Sequence, residues 1–518
     1  MPAASSAQAH ARATPLPVLE GLPLWLSGLL LAAANFVAVL DMSIANVSVP
    51  DIAGALGAST SQGTWVITSY AVAEAITVPL TGWLAGRFGA VRVFAFSLFG
   101  FGLFSALCGM APSLGALVMF RVFQGLAGGP IMALSQTLIL TIFPKKSQGA
   151  AMGMWAVTTL VAPVLGPILG GVLCDGLGWE AIFWVNVPIA VVCSALIWRM
   201  LGGRDTPTAR TPVDVVGLGL LVVWVGSLQV MLDLGKDRDW FASPLIVTLA
   251  IVAAIGFAAF VIWELTEKNP IVSLKIFRNR GFTVAMLTLS LAFGSIFATN
   301  VLTPLWLQGY MGYTATWAGL VAGMIGVLAI FSAPIAAKLS EKVDPRRIIF
   351  GGILWLSFVT LMRSGFVSGM SYWQMAVWML VMGAGLPMFF LPLTGLALGS
   401  VKPEQTAAAA GLMNFIRTLS GAFATSIVTT AWENGSTRNQ ADLVGTLHGV
   451  SATMDGLVAG GLSAGQALGQ VTQLVQGQAV MLATNQILLA AAGTFLFAAA
   501  AIWLAPKPAR VADAGAAH

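Results

Sequence analysis

The sequence predicts an all-α polytopic membrane protein with fourteen transmembrane helices, in two six-helix bundles plus two extra helices. Hydrophobic residues make up 58% of the 518 residues and charged residues only 9%, whereas a soluble protein is about 45–50% apolar and about 25% charged. Apolar runs of about 20 residues, the length that crosses a bilayer, recur along the chain. Basic residues concentrate in alternate connections between these runs, as they do in multi-spanning membrane proteins.

The apolar runs define fourteen candidate spans in chain order. They cover residues 24–46, 63–85, 92–111, 114–137, 150–173, 180–201, 214–233, 241–264, 282–307, 316–338, 347–366, 372–396, 407–431 and 478–504. Nineteen of the 25 lysines and arginines fall in the tails and in the connections from even-numbered to odd-numbered spans. Since basic connections stay on the cytoplasmic side, we expect both termini to be cytoplasmic.

A weak internal repeat divides the chain. The basic turn 82–92 aligns with the basic turn 337–347, and parallel repeats of this kind are typical of transporters. The predicted divisions are a disordered cytoplasmic tail (1–20), an N-terminal six-helix bundle (21–203), two extra transmembrane helices (204–265), a cytoplasmic amphipathic linker (266–281), a C-terminal six-helix bundle with a long outer loop at 433–477 (282–505) and a cytoplasmic tail (506–518).

Two connections carry apolar residues at intervals. Residues 266–281 mix basic and apolar side chains, which favours an amphipathic segment lying on the cytoplasmic surface. Residues 433–477 are polar with recurrent leucines, which indicates short amphipathic helices. They would either cap the membrane surface or provide a docking surface for a partner.

The fifth span is unusual because it contains glycine and proline inside an apolar helix. Pro163, Gly166, Pro167 and Gly170 share one helical face. A helix can persist there because unpaired peptide groups are costly in hydrocarbon. This nearly bare face is expected either to let a neighbouring helix approach closely or to bend the helix at Pro167. We expect it to act as a flexible packing surface between the two halves.

Four charged residues fall within spans, where charges usually face a protein interior or a cavity. They are Asp41, Glu74, Arg121 and Arg417. Arg121 shares a helical face with Gln124 and stays charged at membrane depth, so it needs an acidic or carbonyl partner and could regulate a nearby carboxylate. The alternative is an arginine that reaches from a helix end to the membrane surface.

Glu74 belongs to a polar stripe with Tyr70 and Thr77, which favours a cavity lining over an isolated structural anchor. Asp41 is the first candidate for a carboxyl group that takes up and releases protons. It could instead pair with Arg417, which shares a face of small and polar residues with Asn414.

Enzyme and cofactor signatures are weak. Residues 461–465 match Gly-x-Ser-x-Gly but lack the setting of a hydrolase nucleophile, and the chain has no phosphate-binding Gly-x4-Gly-Lys-Ser/Thr sequence. Three cysteines and three histidines provide neither a disulfide framework nor a metal site. The sequence therefore predicts no cofactor and no metal, no nucleic-acid partner, and transport driven by an ion gradient.

Several motifs occur in the order of a known family. Segment 40–50 has Asp41 in the acidic position of a first-span motif, and Arg121, Gln124, Gly125 and Gly128 match a fourth-span motif. The fifth span matches an antiporter motif, with Ala162 where glycine is usual. Its matching residues are Gly153, Pro163, Gly166, Pro167, Gly170 and Gly171. The turn 82–92 keeps Gly82, Arg87, Gly89 and Arg92, but Gly86 stands where aspartate is common.

Over about residues 20–505 the chain thus resembles the major facilitator superfamily, and within it the fourteen-span drug:proton antiporters of the EmrB/QacA type. Segments 228–241 and 269–280 resemble the EmrB branch of tripartite multidrug exporters. The resemblance implies the major facilitator fold and export of amphipathic or lipophilic drugs in exchange for H+ by alternating access.

The same resemblance implies a location in the bacterial inner membrane, with a periplasmic adaptor (membrane fusion) protein and an outer-membrane channel as partners. It places Asp41 at the acidic first-span position and implicates the fourth-span motif of Arg121 in proton coupling. From the charged and polar faces of the spans we expect proton coupling at Asp41, Glu74 and Arg121, and a substrate cavity lined by Tyr70, Glu74, Thr77, Gln124, Asn414 and Arg417. Conformational roles fall to the antiporter motif and to the turn at Gly82, Arg87, Gly89 and Arg92. Two alternatives stay open: an exporter dedicated to one metabolite or siderophore, and, more remotely, a lipid-modifying membrane enzyme.

Overall fold

The computed structural model describes residues 19–58, 60–206, 208, 212, 214–446 and 450–507. All regular secondary structure within these residues is helical. The expected tails 1–20 and 506–518 lie almost entirely outside the described residues.

The described residues of the first half form nine α-helices. They are α1 (Gly21–Ala55), α2 (Thr60–Gly63), α3 (Trp65–Thr77), α4 (Thr81–Phe88), α5 (Ala90–Cys108), α6 (Leu114–Ile142), α7 (Lys145–Leu177), α8 (Ala181–Trp184) and α9 (Asn186–Leu201). Segment 63–85, expected as one span, is divided between α3 and α4 by the 3-10 turn Val78–Leu80. Pro79 lies in that turn, and proline has no N–H to continue α-helical hydrogen bonding.

The remaining helices comprise a central pair and the second half. The central pair is α10 (Val215–Leu234) and α11 (Pro244–Thr266). The second half consists of α12 (Arg280–Tyr310), α13 (Ala315–Lys342), α14 (Pro345–Arg363), α15 (Tyr372–Gly399), α16 (Thr406–Thr446), α17 (Val450–Ala459) and α18 (Ala464–Ala501).

The long helices pack into two groups. In the first, α1 packs against α7, α9 and α6, while α6 also contacts α3 and α5; in the second, α15 packs against α13 and α14, and α12, α16 and α18 contact one another. The groups meet where α7 contacts α13 and where α16 contacts α4 and α6. The central α10 packs on α11 but also touches α3 and α16, so the extra pair lies beside the junction of the two halves.

Eleven helices among the described residues are long and apolar enough to cross a membrane, and twelve if the bent helix α7 is included. The all-helical membrane fold is therefore confirmed, while the count of fourteen stays a prediction. The two expected spans outside this set, 63–85 and 407–431, are helical as well. They contain Glu74, Asn414 and Arg417, and polar residues lower the hydropathy of a span.

The structure describes most of the two connections that were expected to be amphipathic. Between α11 and α12 lies the short 3-10 helix Leu274–Arg278; Lys275 and Arg278 are exposed, while Ile271, Val272 and Ile276 are buried in the protein core rather than facing the membrane surface. Among the described residues of 433–477, α17 is the one short helix. The rest is largely the continuation of α16 and the beginning of α18, because hydrogen bonding can extend a helix beyond its apolar segment.

The two basic turns that suggested the repeat are fastened in similar ways. Asp205, which follows the last helix of the first half, accepts hydrogen bonds from the N–H groups of Val91 (2.9 Å) and Arg92 (3.2 Å). Arg346 NH1 donates to the carbonyl of Ala505 (3.0 Å), which follows the last helix of the second half. Each turn is therefore tied to the end of its own group of helices.

Candidate functional site

A buried ion pair lies inside the first half. Arg121 NH1 on α6 is 2.6 Å from Asp41 Oδ2 on α1, and the two residues are 0% and 2% exposed. Arg121 thus lies in the protein interior rather than reaching to the membrane surface. Asp41 pairs with Arg121 and not with Arg417.

Further hydrogen bonds complete this ion pair. Asp41 Oδ1 accepts from Asn186 Nδ2 (2.7 Å) and from Gln124 Nε2 (3.2 Å). Arg121 also donates from Nε to the carbonyl of Val66 (3.0 Å) and from NH1 to Gln124 Oε1 (2.9 Å). Such bonds offset the cost of removing two charges from water. Three helices, α1, α6 and α9, therefore meet at the Asp41 carboxylate, and Arg121 links α3 to the same site through the Val66 carbonyl.

Aromatic rings enclose the guanidinium of Arg121. Its Cζ lies 4.3 Å from the ring centroid of Tyr70 and 5.6 Å from that of Phe183, within the range of cation–π attraction. The motif glycines allow this approach: a Cβ at Gly125 would collide with the carbonyl of Tyr70, and one at Gly128 would lie 2.7 Å from its hydroxyl. Tyr70 is thus part of the ion-pair site.

Glu74 is half-buried on α3, and its carboxylate has no hydrogen bond or ion pair with another described residue. Thr77, its neighbour in the predicted stripe, donates its hydroxyl to the carbonyl of Ala73 in the same helix (3.0 Å). Arg417 lies within electrostatic range of Glu74. Glu74 therefore has free capacity to bind a proton or a ligand, and the buried hydroxyl of Tyr70 in the same stripe also has no hydrogen-bond partner.

Asn414 and Arg417 connect the two halves. Asn414 Nδ2 donates to Gln136 Oε1 on α6 (3.0 Å), and the Arg417 guanidinium contacts Met132 on the same helix. Arg417 Cζ also lies 5.4 Å from the ring of Phe293 on α12. In this conformation the expected cavity residues of α16 hold the halves together.

The glycine face of α7 packs against α1, within the first half. A Cβ at Gly166 would collide with Ser43, and one at Gly170 would lie 3.3 Å from the carbonyl of Ile44. Ser43 Oγ donates to the carbonyl of Pro163 (3.1 Å). The expectation that this face packs between the halves is therefore wrong for Gly166 and Gly170; periodicity identifies a face but not the helix it meets.

Helix α7 also bends, by 49° between Lys145–Pro163 and Ile168–Cys174. Close approach and bending, predicted as alternatives, thus occur together. Ala162, which stands where glycine is usual, is fully buried and its methyl group is accommodated. A Cβ at Gly153 or Gly171 would meet nothing within 4 Å. The side chain of Pro167 lies outside what the structure describes.

The turn 82–92 lies where the halves touch. A Cβ at Gly82 would be 2.5 Å from Ala408 Cα on α16. Gly89 has a φ of +95°, a region that glycine favours, and the Asp205 carboxylate lies against it. Gly86 stands where aspartate is common in the motif, and the carboxylate that lies at this turn is that of Asp205.

Three polar residues of these contacts were not identified from the sequence: Asn186, Gln136 and Asp205. Asn186 and Gln136 are amides within apolar spans. Because such amides are rare there, they could have been identified from the sequence as candidates for polar contacts. Asp205 lies in a connection and resembles any solvent-exposed acid. Among the described residues, no group of three or more His, Cys, Asp or Glu side chains could hold a metal ion.

Comparison with known proteins identifies the family. The model of the Major Facilitator Superfamily matches residues 31–425. The chain belongs to the major facilitator superfamily. The "Multidrug export protein EmrB" of Escherichia coli (strain K12) is 43% identical over 462 residues, covering 88% of this chain and 90% of that protein. The "Fatty acid resistance protein FarB" of Neisseria gonorrhoeae is 43% identical over 463 residues, covering 89% and 91%.

Solved structures show the same fold. The human organic anion transporter MFSD10 (TETRAN) matches with a TM-score of 0.57 at 14% identity, covering 92% of this chain and 100% of that chain. The resemblance to the major facilitator superfamily and its EmrB branch is confirmed. Because members of the superfamily are transporters, a membrane transporter rather than a lipid-modifying enzyme is indicated.

Proposed function

We propose that this protein is a multidrug efflux transporter that exports amphipathic or lipophilic small molecules in exchange for protons, by alternating access between its two halves. The observation that carries the proposal is the buried Asp41–Arg121 ion pair, which lies where four helices meet. The multidrug export named for the EmrB relative supports the same activity.

Asp41 is the principal proton carrier in this mechanism. A proton on Asp41 neutralises its carboxylate. This removes the attraction to Arg121 and weakens the hydrogen bond that the carboxylate accepts from Asn186. Arg121 then keeps the Val66 carbonyl and Gln124 Oε1 as acceptors, so the guanidinium remains bonded while α1 is released. Proton uptake is thereby coupled to the relative position of α1 and α6.

Glu74 and Arg417 act at the substrate side of the mechanism. Glu74 supplies a second acid or a substrate contact, and opening of the cytoplasmic side breaks the hydrogen bond from Asn414 to Gln136. The turn at Gly82, Arg87, Gly89 and Arg92 and the flexible fifth span accompany this movement. H+ is the coupling ion, and no other cofactor is required.

The cellular setting follows from the EmrB branch. We propose a location in the bacterial inner membrane, both termini in the cytoplasm, and a periplasmic adaptor and an outer-membrane channel as partners. Residues 433–477, on the opposite side from the termini, offer either a surface cap or the adaptor contact.

An exporter dedicated to one substrate class is the second candidate. The relative named for fatty acid resistance is as similar to this chain as the EmrB relative, 43% identical in both cases. A susceptibility panel of unrelated drugs and fatty acids in an efflux-deficient host, with and without a cognate adaptor, separates the two. Resistance to several unrelated drugs is expected, and resistance to a single class supports the dedicated exporter.

The proton coupling is tested in vesicles containing the purified protein, with a fluorescent substrate and an imposed pH gradient. Transport is expected to follow the direction and size of the gradient. Transport that is insensitive to the gradient would contradict the antiport mechanism.

A further inference from the structure

Two carboxyl groups converge where the extra helices α10 and α11 meet, at the end that leads into the connection to α12. Asp214 precedes α10, and its Oδ1 accepts a hydrogen bond from Gly217 N (2.8 Å). Glu264 lies in the last turn of α11 and is 0% exposed. A Cβ at Gly217 would lie 2.3 Å from Asp214 Oδ2 and 2.6 Å from Glu264 Oε1. The two oxygens therefore approach one point beside a glycine, which has no side chain to separate them.

The two carboxyl groups differ in the hydrogen bonds that they accept. Both oxygens of Asp214 accept from Trp263 Nε1 (3.0 Å each), and Oδ1 also accepts from Gly217 N. Glu264 Oε2 accepts from the N–H of Val272 (3.1 Å), but the buried Oε1 has no hydrogen-bond partner among the described residues. Hydrogen bonds from N–H groups favour the ionised form of a carboxyl group. They therefore favour a negative charge on Asp214 and leave one oxygen of Glu264 unsatisfied.

Basic side chains do not compensate this pair of acids. Within the part of the chain that the structure describes, neither Asp214 nor Glu264 forms an ion pair. The basic residues of the connection from α11 to α12 are all exposed: Lys268, Lys275, Arg278 and Arg280. Besides Asp214, the charged group within electrostatic range of Glu264 is Glu267, which adds repulsion. Two neighbouring carboxylates without a cation oppose each other's ionisation.

We propose that Asp214 and Glu264 form a second proton-binding site, which is separate from Asp41 and does not depend on proton exchange there. One proton resides on Glu264 Oε1 and faces Asp214 Oδ2, so the pair carries a single negative charge. The proton satisfies the oxygen that lacks a partner and removes the repulsion. A metal ion suits the site less well, because Ca²⁺ takes about six to eight oxygen ligands. The other groups that contact these carboxylates are N–H donors.

The shared proton fastens the connection between the extra helices and the second half. Glu264 Oε2 holds the N–H of Val272, and Ile271 and Val272 are buried in the protein core. Loss of the proton places a second negative charge beside Asp214, and this repulsion pushes Glu264 away from its present position. We therefore expect alkaline pH to loosen the attachment of the connection to α10 and α11.

Infrared spectroscopy of the purified full-length protein detects the proton. A protonated carboxyl group has a C=O band that a carboxylate lacks, and the difference between the spectra of wild type and Glu264→Gln isolates the band of Glu264. The band should be present near neutral pH and lost in alkaline buffer. Asp214→Asn should shift its frequency, because the group that faces the proton changes. The matched control is Glu267→Gln, an acid three residues away, which should leave the band and its loss unchanged.

Hydrogen exchange measures the effect on the connection. In alkaline buffer, peptides that contain Ile271 and Val272 should exchange faster in the wild type than in Glu264→Gln, whose amide stays neutral. Near neutral pH the two proteins should exchange alike, and equal exchange in alkaline buffer would contradict the fastening role.

Three spectroscopic results would overturn the proton site. They are the absence of a Glu264 band near neutral pH, a band that is the same in Asp214→Asn as in the wild type, and removal of the wild-type band by Ca²⁺, which would indicate a metal site instead. None of these readouts involves transport, so they remain informative whether or not the antiport mechanism is correct.

Discussion

Arg121 on α6 donates a hydrogen bond of 2.6 Å to the carboxylate of Asp41 on α1, with both residues at most 2% exposed. A buried ion pair stabilises a fold only when its remaining donors and acceptors are also satisfied. Asn186 and Gln124 meet this need on the Asp41 side. The hydrogen bonds therefore suit an ionised aspartate, and neutralising Asp41 weakens the contacts among α1, α6 and α9 at once.

The substitution Asp41→Asn should abolish transport driven by a pH gradient, because the amide cannot exchange a proton. It also leaves Arg121 as a buried charge without a counter-ion, which costs about 3–5 kcal/mol. Efflux of a fluorescent substrate from vesicles and thermal unfolding of the purified protein measure the two effects. The control is Asp51→Asn, an exposed acid near the end of the same helix, which should behave as wild type.

A double-variant cycle separates these effects. If Asp41 and Arg121 form a coupled pair, Asp41→Asn/Arg121→Gln should recover part of the stability lost in Asp41→Asn while remaining uncoupled. Gradient-driven transport by Asp41→Asn at the wild-type rate would remove Asp41 from the mechanism.

Replacing Asn186 tests a residue that sequence reasoning missed. Asn186→Leu removes a 2.7 Å hydrogen bond to the Asp41 carboxylate, so we expect a loss of about 1.5–3 kcal/mol in stability and slower gradient-driven transport. Ser194→Ala, on the same helix, removes a hydrogen bond to the backbone carbonyl of Ala95 and should leave the coupling to protons intact. If both variants slowed transport equally, a specific role for Asn186 would be ruled out.

The fold and the charged members of the site could be predicted from the sequence because charges within apolar spans are rare and costly. Asp41 and Arg121 were recognisable on that ground. Their pairing was not, since periodicity gives the face of a helix but not its neighbour in space. The same limitation explains why the glycine face of α7 was expected to meet the second half, whereas Gly166 meets Ser43 on α1.

Connections were harder to predict than spans. Hydropathy marks where a helix lies in hydrocarbon, not where its hydrogen bonds end, so the continuation of α16 to Thr446 was read as part of a loop. Ile271 and Val272 lie among polar and basic residues, as the apolar side chains of a surface segment would, yet both are buried in the protein core. Asp205 acquires its role only because the chain returns to the turn at Gly89.

The contact between Gly82 and Ala408 tests whether the two halves close against each other at the end of the molecule proposed to be cytoplasmic. Gly82→Ala places a methyl group 2.5 Å from Ala408 Cα and should cost about 1–3 kcal/mol in the closed form. The population of the closed form is measured by disulfide formation between Gln136→Cys and Asn414→Cys, in a chain whose three native cysteines are replaced. Gly86→Ala, where a Cβ meets nothing within 4 Å, is the control and should cross-link as the parent does. Equal cross-linking of all three proteins would show that this contact does not limit closure.

Asp344 should give a pH-dependent contribution to stability outside the membrane. It caps α14 by accepting from Arg346 N (3.0 Å), and hydrogen bonds from the Arg346 side chain hold the pKa of Asp344 below its usual range. A lowered pKa means that the contribution is present above the unfolded pKa and is lost as the pH falls through the folded pKa. Asp344→Ala should therefore cost about 1 kcal/mol near neutral pH. Thermal unfolding near pH 7 and near pH 3 measures the difference, which should be smaller at the lower pH.

The effect of the Asp344 charge can be distinguished from the effect of its capping hydrogen bond. Asp344→Asn keeps a capping side chain and should lose less stability than Asp344→Ala, with little dependence on pH. An equal penalty for Asp344→Ala at both pH values would contradict the assignment of the effect to the ionised carboxylate.

The bent fifth span allows a matched comparison among its own glycines. Gly166→Ala introduces a Cβ that collides with Ser43, so α1 and α7 must separate or the bend must change. Overpacking of this kind costs about 1–3 kcal/mol. Gly153→Ala and Gly171→Ala add the same atom where nothing lies within 4 Å, and alanine is the better helix former by about 1 kcal/mol in water. We therefore expect Gly166→Ala to lower thermal stability and transport, and the other two to be neutral or stabilising.

Measurements of transport and of stability together show whether the glycines of α7 serve packing or bending. If the glycines serve only close packing, Gly166→Ala should lose transport and stability in proportion. Ser43→Gly, which removes the opposing side chain but not the Ser43 backbone carbon 2.9 Å from the added Cβ, should then restore part of both. If the bend itself must change during the cycle, Ser43→Gly should restore part of the unfolding temperature of Gly166→Ala while substrate efflux from vesicles stays as slow as before. Equal behaviour of the alanine variants at residues 153, 166 and 171 would contradict both interpretations, because the three sites differ only in the neighbour that the added Cβ would meet.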